Sequence, residues 1–436
     1  MSNLQKFLVL GIVTVAIVCV LEYARPVIAG NHTPREHLFT VQSVDTMKYS
    51  RDRAREALKN PSYQTLIDNE VRAVADTGAT HIALATPYDE EFVPVLKMWV
   101  SSARKQGLSV WFRGNFSGWE GWFDYQKIDR TTHLKMTEAF ITSHPDLFSD
   151  GDIFTPCPEC ENGGPGDPRQ TRDTAGFKKF LIDERIVSLN DFSKINKKVQ
   201  TTYTSMNGDV ARLIMDPATT DALGNVVVVD HYVPTVAQFG KDILAMSTTS
   251  QGDVALGEFG APIPDLQGDL SPTDQAGFVE GLLGELYKQS DHIVAVNYWT
   301  LNDSSTALLD GTNESTKRPV YDTLKTFYKA SYVTGTVKNS IGDALPNMPI
   351  TVQGKYPYST VTDKDGYYQV FVPFTDTVVT IGGGDYPVIK ATYLRLEVPK
   401  TYNIILVPLH PSFLYQIRES MLSMQAAVLQ AFHLSK

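Results

Sequence analysis

The sequence predicts an α/β fold, a parallel (β/α)8 barrel of the TIM type, followed by a C-terminal all-β sandwich. Three observations lead there. Short β-rich runs alternate with longer apolar-periodic stretches from about residue 38 to 330. Eight such runs occur, and a span of this size suits a closed eight-stranded barrel. After Tyr328 the pattern changes to period-2 alternation rich in Val, Thr and Tyr, with turn signals between the runs.

The eight runs are LFTVQSV (38–44), THIALAT (80–86), LSVWFRG (108–114), GDIFTP (151–156), VQTTYT (199–204), NVVVVDH (225–231), DVALGE (253–258) and HIVAVNYW (292–299). Between them lie helical patterns such as YQTLIDNEVRAVADTG and GFVEGLLGELYKQ, several ending in Gly or a basic residue as helix C-termini do. The stretch after the fifth run, SMNGDVARLIMDPATTDALG, is the least regular. A doubly wound open sheet is the structural alternative. The expected organisation is a signal peptide or membrane anchor at 1–29, a catalytic barrel at 36–330, an accessory β-domain at 331–409 and an amphipathic helix at 410–436.

Lys6 precedes the apolar run FLVLGIVTVAIVCVL, and small residues Val27 and Ala29 stand before Gly30. Fifteen apolar residues are short for a membrane span and fit a signal h-region, cleaved or kept as an anchor. The rest of the chain is expected outside the cell or at its surface, with membrane attachment, if any, through this segment. A net charge of −10 argues against nucleic acid as a partner, since a phosphate backbone wants Lys and Arg. There is no Walker-type loop, GxGxxG or HExxH, and a lone CxxC (Cys157, Cys160) lacks the second pair of a structural zinc site. No metal or cofactor is expected. The CxxC pair reads either as a short-loop disulfide or as two packed thiols.

Catalytic groups of such barrels sit at the C-terminal ends of the strands. Those ends carry Asp45; Arg113 and Asn115; Glu159 and Glu161; Tyr203 and Asn207; Asp230, His231 and Tyr232; Glu258; and Tyr298, Trp299 and Asn302. Carboxylates and aromatics dominate, with few lysines. That mixture suits a carbohydrate, whose hydroxyls need directional partners and whose ring faces lie on aromatic side chains. Splitting a glycosidic bond needs two carboxyl groups, one protonated and one ionised. Glu159 and Glu258 are the candidate pair.

The segments TPCPE, VVVVDHYVP, VALGEFGAP and VAVNYWTLND, on the fourth, sixth, seventh and eighth runs, resemble the clan A glycoside hydrolases, especially family-5-like retaining enzymes. The resemblance covers roughly residues 38 to 330. It implies Glu159 as acid/base and Glu258 as nucleophile, with Tyr232 orienting Glu258. It further implies Trp299 as a sugar platform and His231, Arg113 and Asn115 as substrate-binding residues. Two departures stand out: Pro158 replaces the Asn that usually precedes the acid/base, and no Arg ends the second run, a job Arg113 is expected to share. Trp119 and Trp122 read as outer sugar subsites or as a packed loop. A transglycosylase, or an inactive carbohydrate-binding barrel, are the alternative readings.

The segments TGTVKNSIGDALPNMPITV and STVTDKDGYYQVFVP resemble the carboxypeptidase-regulatory-like, transthyretin-like β-sandwich, which implies a spacer or accessory module. DKDG (363–366) reads as a β-turn rather than a calcium loop. The helical stretch 413–432 is expected to pack on a domain or partner; a membrane role is the weaker reading, because its polar face is not basic.

Overall fold

The computed structural model describes residues 32–46, 50–120, 125–163, 166–310, 316–393 and 395–433. The expected signal segment and Trp122 lie outside them.

Eight parallel strands form the first domain: β1 (Val41–Asp45), β2 (His81–Leu84), β3 (Ser109–Phe112), β4 (Ile153–Phe154), β5 (Ser205–Asn207), β6 (Val226–Asp230), β7 (Asp253–Phe259) and β8 (Ile293–Tyr298). Their order is β4-β3-β2-β1-β8-β7-β6-β5, so the first strand lies beside the last. The ends meet where Ile153 bridges Gln200, supported by Phe154 N–H donating to the Gln200 carbonyl at 2.8 Å. A closed barrel therefore replaces the open-sheet alternative. The irregular stretch after β5 holds two short helices, Gly208–Ile214 and Pro217–Ala222.

The interior is layered. Val41, Ala83, Trp111, Ile153, Tyr203, Val228, Ala255 and Ala295, one from each strand or its approach, form an apolar plug. Alternation puts the residues two positions further along on the same inner face. There stand Ser43, Ala85, Arg113, Thr155, Ser205, Asp230, Gly257 and Asn297, and all but Ala85 and the glycine are buried and polar. The barrel is thus dry in the middle and polar toward its mouth. Val44, Ile82, Leu84, Val227, Val229, Val254 and Leu256 point outward into the main core with the helices.

A short hairpin, β9 (Leu309–Asp310) and β10 (Thr316–Lys317), leads to helix Pro319–Tyr328 and then to the second domain. That domain has β11 (Ser331–Asn339), β12 (Pro349–Gly354), β13 (Tyr358–Val361), β14 (Tyr367–Val372), β15 (Thr377–Ile381), β16 (Ile389–Tyr393), β17 (Lys400–Thr401) and β18 (Ile404–Leu406). Two sheets, one with β14, β11, β17 and β18 and one of order β13-β12-β15-β16, share a core of Val333, Val337, Ile350, Val352, Tyr368, Val370 and Val379. The period-2 pattern suits antiparallel pairing, but the domain is not wholly antiparallel: β17 and β18 run parallel to β11, because the chain crosses back from the other sheet before pairing. DKDG is a turn, with Asp363 Oδ1 accepting from the Asp365 and Tyr367 N–H groups and Gly366 at φ +72°.

The β-domain docks where helices Pro272–Lys288 and Pro319–Tyr328 end, beneath the barrel and away from its mouth. Tyr287 donates to the Phe371 carbonyl at 2.6 Å, Lys355 pairs with Glu280 at 2.8 Å, and the rings of Phe327 and Tyr356 lie 4.6 Å apart. The last element is helix Phe413–His433. Among the described residues, no helix is long and apolar enough to cross a membrane.

Candidate active site

Strand β7 is apolar and buried from Val254 to Leu256, and simple alternation would turn Glu258 outward into the helical layer. A bulge prevents this. Val229 pairs with Leu256, but Asp230 pairs with Glu258; on the other side Leu256 faces Val296 and Phe259 faces Tyr298. Gly257 is the extra residue. It shifts the alternation, so Glu258 joins inward-facing Asp230 and Phe259 joins the outer core. The bulge also frees the Gly257 carbonyl, which accepts from Asn297 Nδ2 at 2.8 Å and from Arg113. A Cβ here would lie 2.2 Å from Asp230 Oδ1 and 2.8 Å from Ser205 Cβ, so only glycine fits without moving them.

Arg113, one residue past β3, is the hub. Its guanidinium lies 3.0 Å from Glu258 Oε1, 3.2 Å from Asp230 Oδ2 and 3.8 Å from Asp45 Oδ2. It is buried, and those carboxylates, Asp230 first, raise its pKa against the opposing effect of burial. One permanent cation faces several acids, so some acid must keep a proton. Asp230 is the best placed to do so. It is fully enclosed, its Oδ1 has no hydrogen-bond partner, and burial pushes its carboxyl well above the usual range. Burial also raises Glu258, and Asp230 adds to this, while Arg113 opposes it. Two donors favour the ionised form of Glu258: Arg113, and the Tyr232 hydroxyl at 3.0 Å on Oε2. Burial holds the Tyr232 phenol well above its usual range, so it remains a donor.

Glu159 follows β4 in the left-handed conformation, φ 46° and ψ 48°. A disulfide between Cys157 and Cys160 brackets it, resolving the two readings of the CxxC pair. Its N–H donates to the Ser205 carbonyl at 3.0 Å, which ties the loop to β5. Its carboxyl accepts from Asn162 at 3.0 Å, and Arg113 and Asp230 are among its charged neighbours. Burial raises its pKa, and Arg113 pulls the other way. Glu159 and Glu258 therefore converge on one Arg113–Asp230 unit at the mouth. Glu161 does not join them. It accepts from the Asn207 N–H at 2.6 Å and from its side chain at 3.0 Å, and burial raises it to about 7.

The other expected residues divide. Trp299, half-buried after β8, packs edge-on to Tyr232 with centroids 6.2 Å apart, on the same rim. His231 does not face the site. Alternation along β6 turns it outward, where Nε2 lies 3.2 Å from Asp242 and the ring stacks on Phe239. Asn115 is buried with its amide committed: Oδ1 faces His133 Nε2 at 3.0 Å and Nδ2 faces Cys157 Sγ at 3.6 Å. His133 is held in turn by Glu184 at 2.6 Å. Asn115 thus braces the disulfide loop. Trp119 is fully buried against Phe180 and His133, the packed-loop reading. Sequence reasoning placed Asp230 at a strand end but gave it no role, although the same alternation that excludes His231 selects it.

No known family profile matches the chain, and no curated protein matches it. Solved structures similar to it include an FMN-binding β-glucuronidase from Facaelibacterium prausnitzii L2-6, with 10% identity and TM-score 0.45, covering 84% of this chain. This chain spans only 57% of the length of that protein. A family 5 xyloglucanase from Paenibacillus pabuli has 14% identity and TM-score 0.47 over 67% of this chain and 99% of its own. XacCel5A, solved with cellopentaose, has 12% identity and TM-score 0.47 over 67% of this chain and 100% of its own. At these identities and scores the likenesses assign neither family nor activity. The closed barrel and the carboxylate cluster are features of this chain's own geometry.

Proposed function

We propose that the chain is an exported retaining glycoside hydrolase acting on β-linked oligo- or polysaccharides. The reading rests on one observation: Glu159 and Glu258, from opposite halves of the barrel, meet across Asp230 and Arg113 at the strand ends. Glu258, held by Arg113 and Tyr232, attacks the anomeric carbon. Glu159, whose burial favours the protonated form, gives its proton to the leaving oxygen. The glycosyl ester on Glu258 is then hydrolysed by a water that Glu159 deprotonates. Trp299 offers its face to a sugar ring. Arg113 stands in for the missing strand-two arginine. The apolar run at 7–21 and the Cys157–Cys160 bond support export.

A fluorinated glycoside with a good leaving group tests the reading. Mass spectrometry should find one sugar on the peptide carrying Glu258, and the product of a natural substrate should first appear with its anomeric configuration retained. Inversion, or label on another residue, would reject the assignment. Pro158 before Glu159 favours the inactive carbohydrate-binding barrel as second reading; oligosaccharide binding with neither label nor product would establish it.

A further inference from the structure

Helix Phe413–His433 is attached the wrong way round for a helix that packs on its own domain. At 100° per residue, Phe413, Leu414, Ile417, Met421 and Met424 fall within one arc of about 100°. These five are 75%, 77%, 41%, 56% and 63% exposed. The other side makes the attachment. Tyr415 bonds Ser340, Glu419 accepts from Ser340 Oγ at 2.6 Å, and Arg418 pairs with Asp343 at 3.1 Å. The polar edge grips the β-domain and the apolar arc faces out. Ile405, Val407 and Leu409, on the approach to the helix, are exposed as well.

This happens at one particular end of the molecule. Strand β11 leaves the barrel at Ser331, and its nine residues span about 25 to 30 Å. Ser340 and Asp343 lie just beyond its far end. The N-terminal segment reaches the same end by another route. From the barrel it follows β14 outward: the Arg35 N–H donates to Gln369 Oε1 at 3.0 Å and its carbonyl accepts from Gln369 Nε2 at 2.6 Å, and His32 stacks on Tyr367 at 4.1 Å and lies 3.4 Å from Asp363. Gly366, in that turn, accepts from the Val337 N–H at 2.8 Å, which places the turn beside the end of β11. Only residues 22–31 separate His32 from the apolar run 7–21.

We infer that the far tip of the β-domain is a membrane-facing surface, and that the apolar arc of helix Phe413–His433 enters the interfacial layer of a lipid bilayer. The occupant follows from where the chain goes: an apolar segment and an outward apolar helix arc leave from one tip, opposite the barrel mouth. The arc itself has no Lys or Arg, so apolar burial rather than attraction to anionic headgroups drives entry. The open site then faces away from the bilayer.

The test uses the full chain with Cys19→Ser and one added cysteine carrying an environment-sensitive nitrobenzoxadiazole dye. Met421→Cys reports on the arc and Ser423→Cys on the polar side. With phosphatidylcholine vesicles, emission at 421 should rise several-fold and shift blue, while 423 stays water-like. Adding phosphatidylglycerol or salt should change neither. The inference is overturned by no response at 421, by equal responses at both sites, or by a response only with anionic lipid. A rise without vesicles that grows with protein concentration would also overturn it, because a second copy would then cover the arc.

Discussion

The barrel mouth and the far tip of the β-domain break the same rule in opposite directions. At the mouth, charge is buried: Arg113 and Asp230 are 4% and 3% exposed. At the tip, apolar side chains stand in the open, with Leu414 77% exposed. The mouth meets its cost internally, since each acid reaches Arg113, Tyr232 or a neighbouring acid. The tip has no such partner among the described residues. Buried charge with a partner marks a place prepared for a reaction; exposed apolar surface without one marks a place prepared for another phase.

The strongest way to break the contrast is at the mouth. Glu258→Gln keeps shape and removes the charge; turnover of an aryl glycoside should fall on the order of 10⁴-fold or more, with KM little changed. Near-normal turnover would detach the cluster from catalysis. Arg113→Met leaves Asp230, Glu258 and Asp45 enclosed without their cation. Denaturant unfolding should show a loss of about 3–5 kcal/mol, because an uncompensated buried charge is costly. Gly257→Ala should cost about 1–3 kcal/mol and most of the activity, since the added methyl displaces Asp230 and Ser205. A fully active Gly257→Ala variant would mean that the bulge is not what aims Glu258.

The smallest effect separates Glu161 from the reacting pair. Its pKa is raised from 4.5 to about 7 in the fold, so the folded chain holds that proton more tightly than the unfolded one. Its contribution to stability is therefore full below about pH 4.5 and is lost as pH rises through about 7. Glu161→Gln keeps the acceptor for Asn207 and removes the titration. Its Tm should match the wild type in acid and exceed it above pH 7, by about 1–2 °C for each kcal/mol relieved. An unchanged pH profile would place the proton elsewhere.

Much of the mouth was legible because strand ends read directly: an apolar run finishing on a charge, as in VALGE, announces a delivered side chain. Tyr232 and Arg113 were legible for the same reason. What failed was face, not position. His231 and Asp230 are neighbours, and one alternation step decides which enters the barrel. Asn115 braces a loop instead of lining the cleft, and Trp119 stayed open between the two, because a polar or aromatic residue near a strand end can do either, and only the His133–Glu184 pair, distant in sequence, decides. The bulge was invisible because GEFG shows a glycine but not the pairing on either side. In the C-terminal helix the period gave the apolar arc, but the polar contacts that turn it outward come from a loop about 75 residues earlier.

The bulge at Gly257 also sets how this strand can change by descent. Substitutions in β7 alter one side chain at a time, but an in-frame loss of one codon at Gly257 would remove the extra residue and restore plain alternation. Glu258 would then follow Leu256 directly and still face the mouth, with Phe259 still outside. What the deletion would take away is the Gly257 carbonyl that Asn297 and Arg113 bond. Length at this one position is therefore inherited for the sake of the arginine beside the glutamate, while the direction of the glutamate itself would survive the loss.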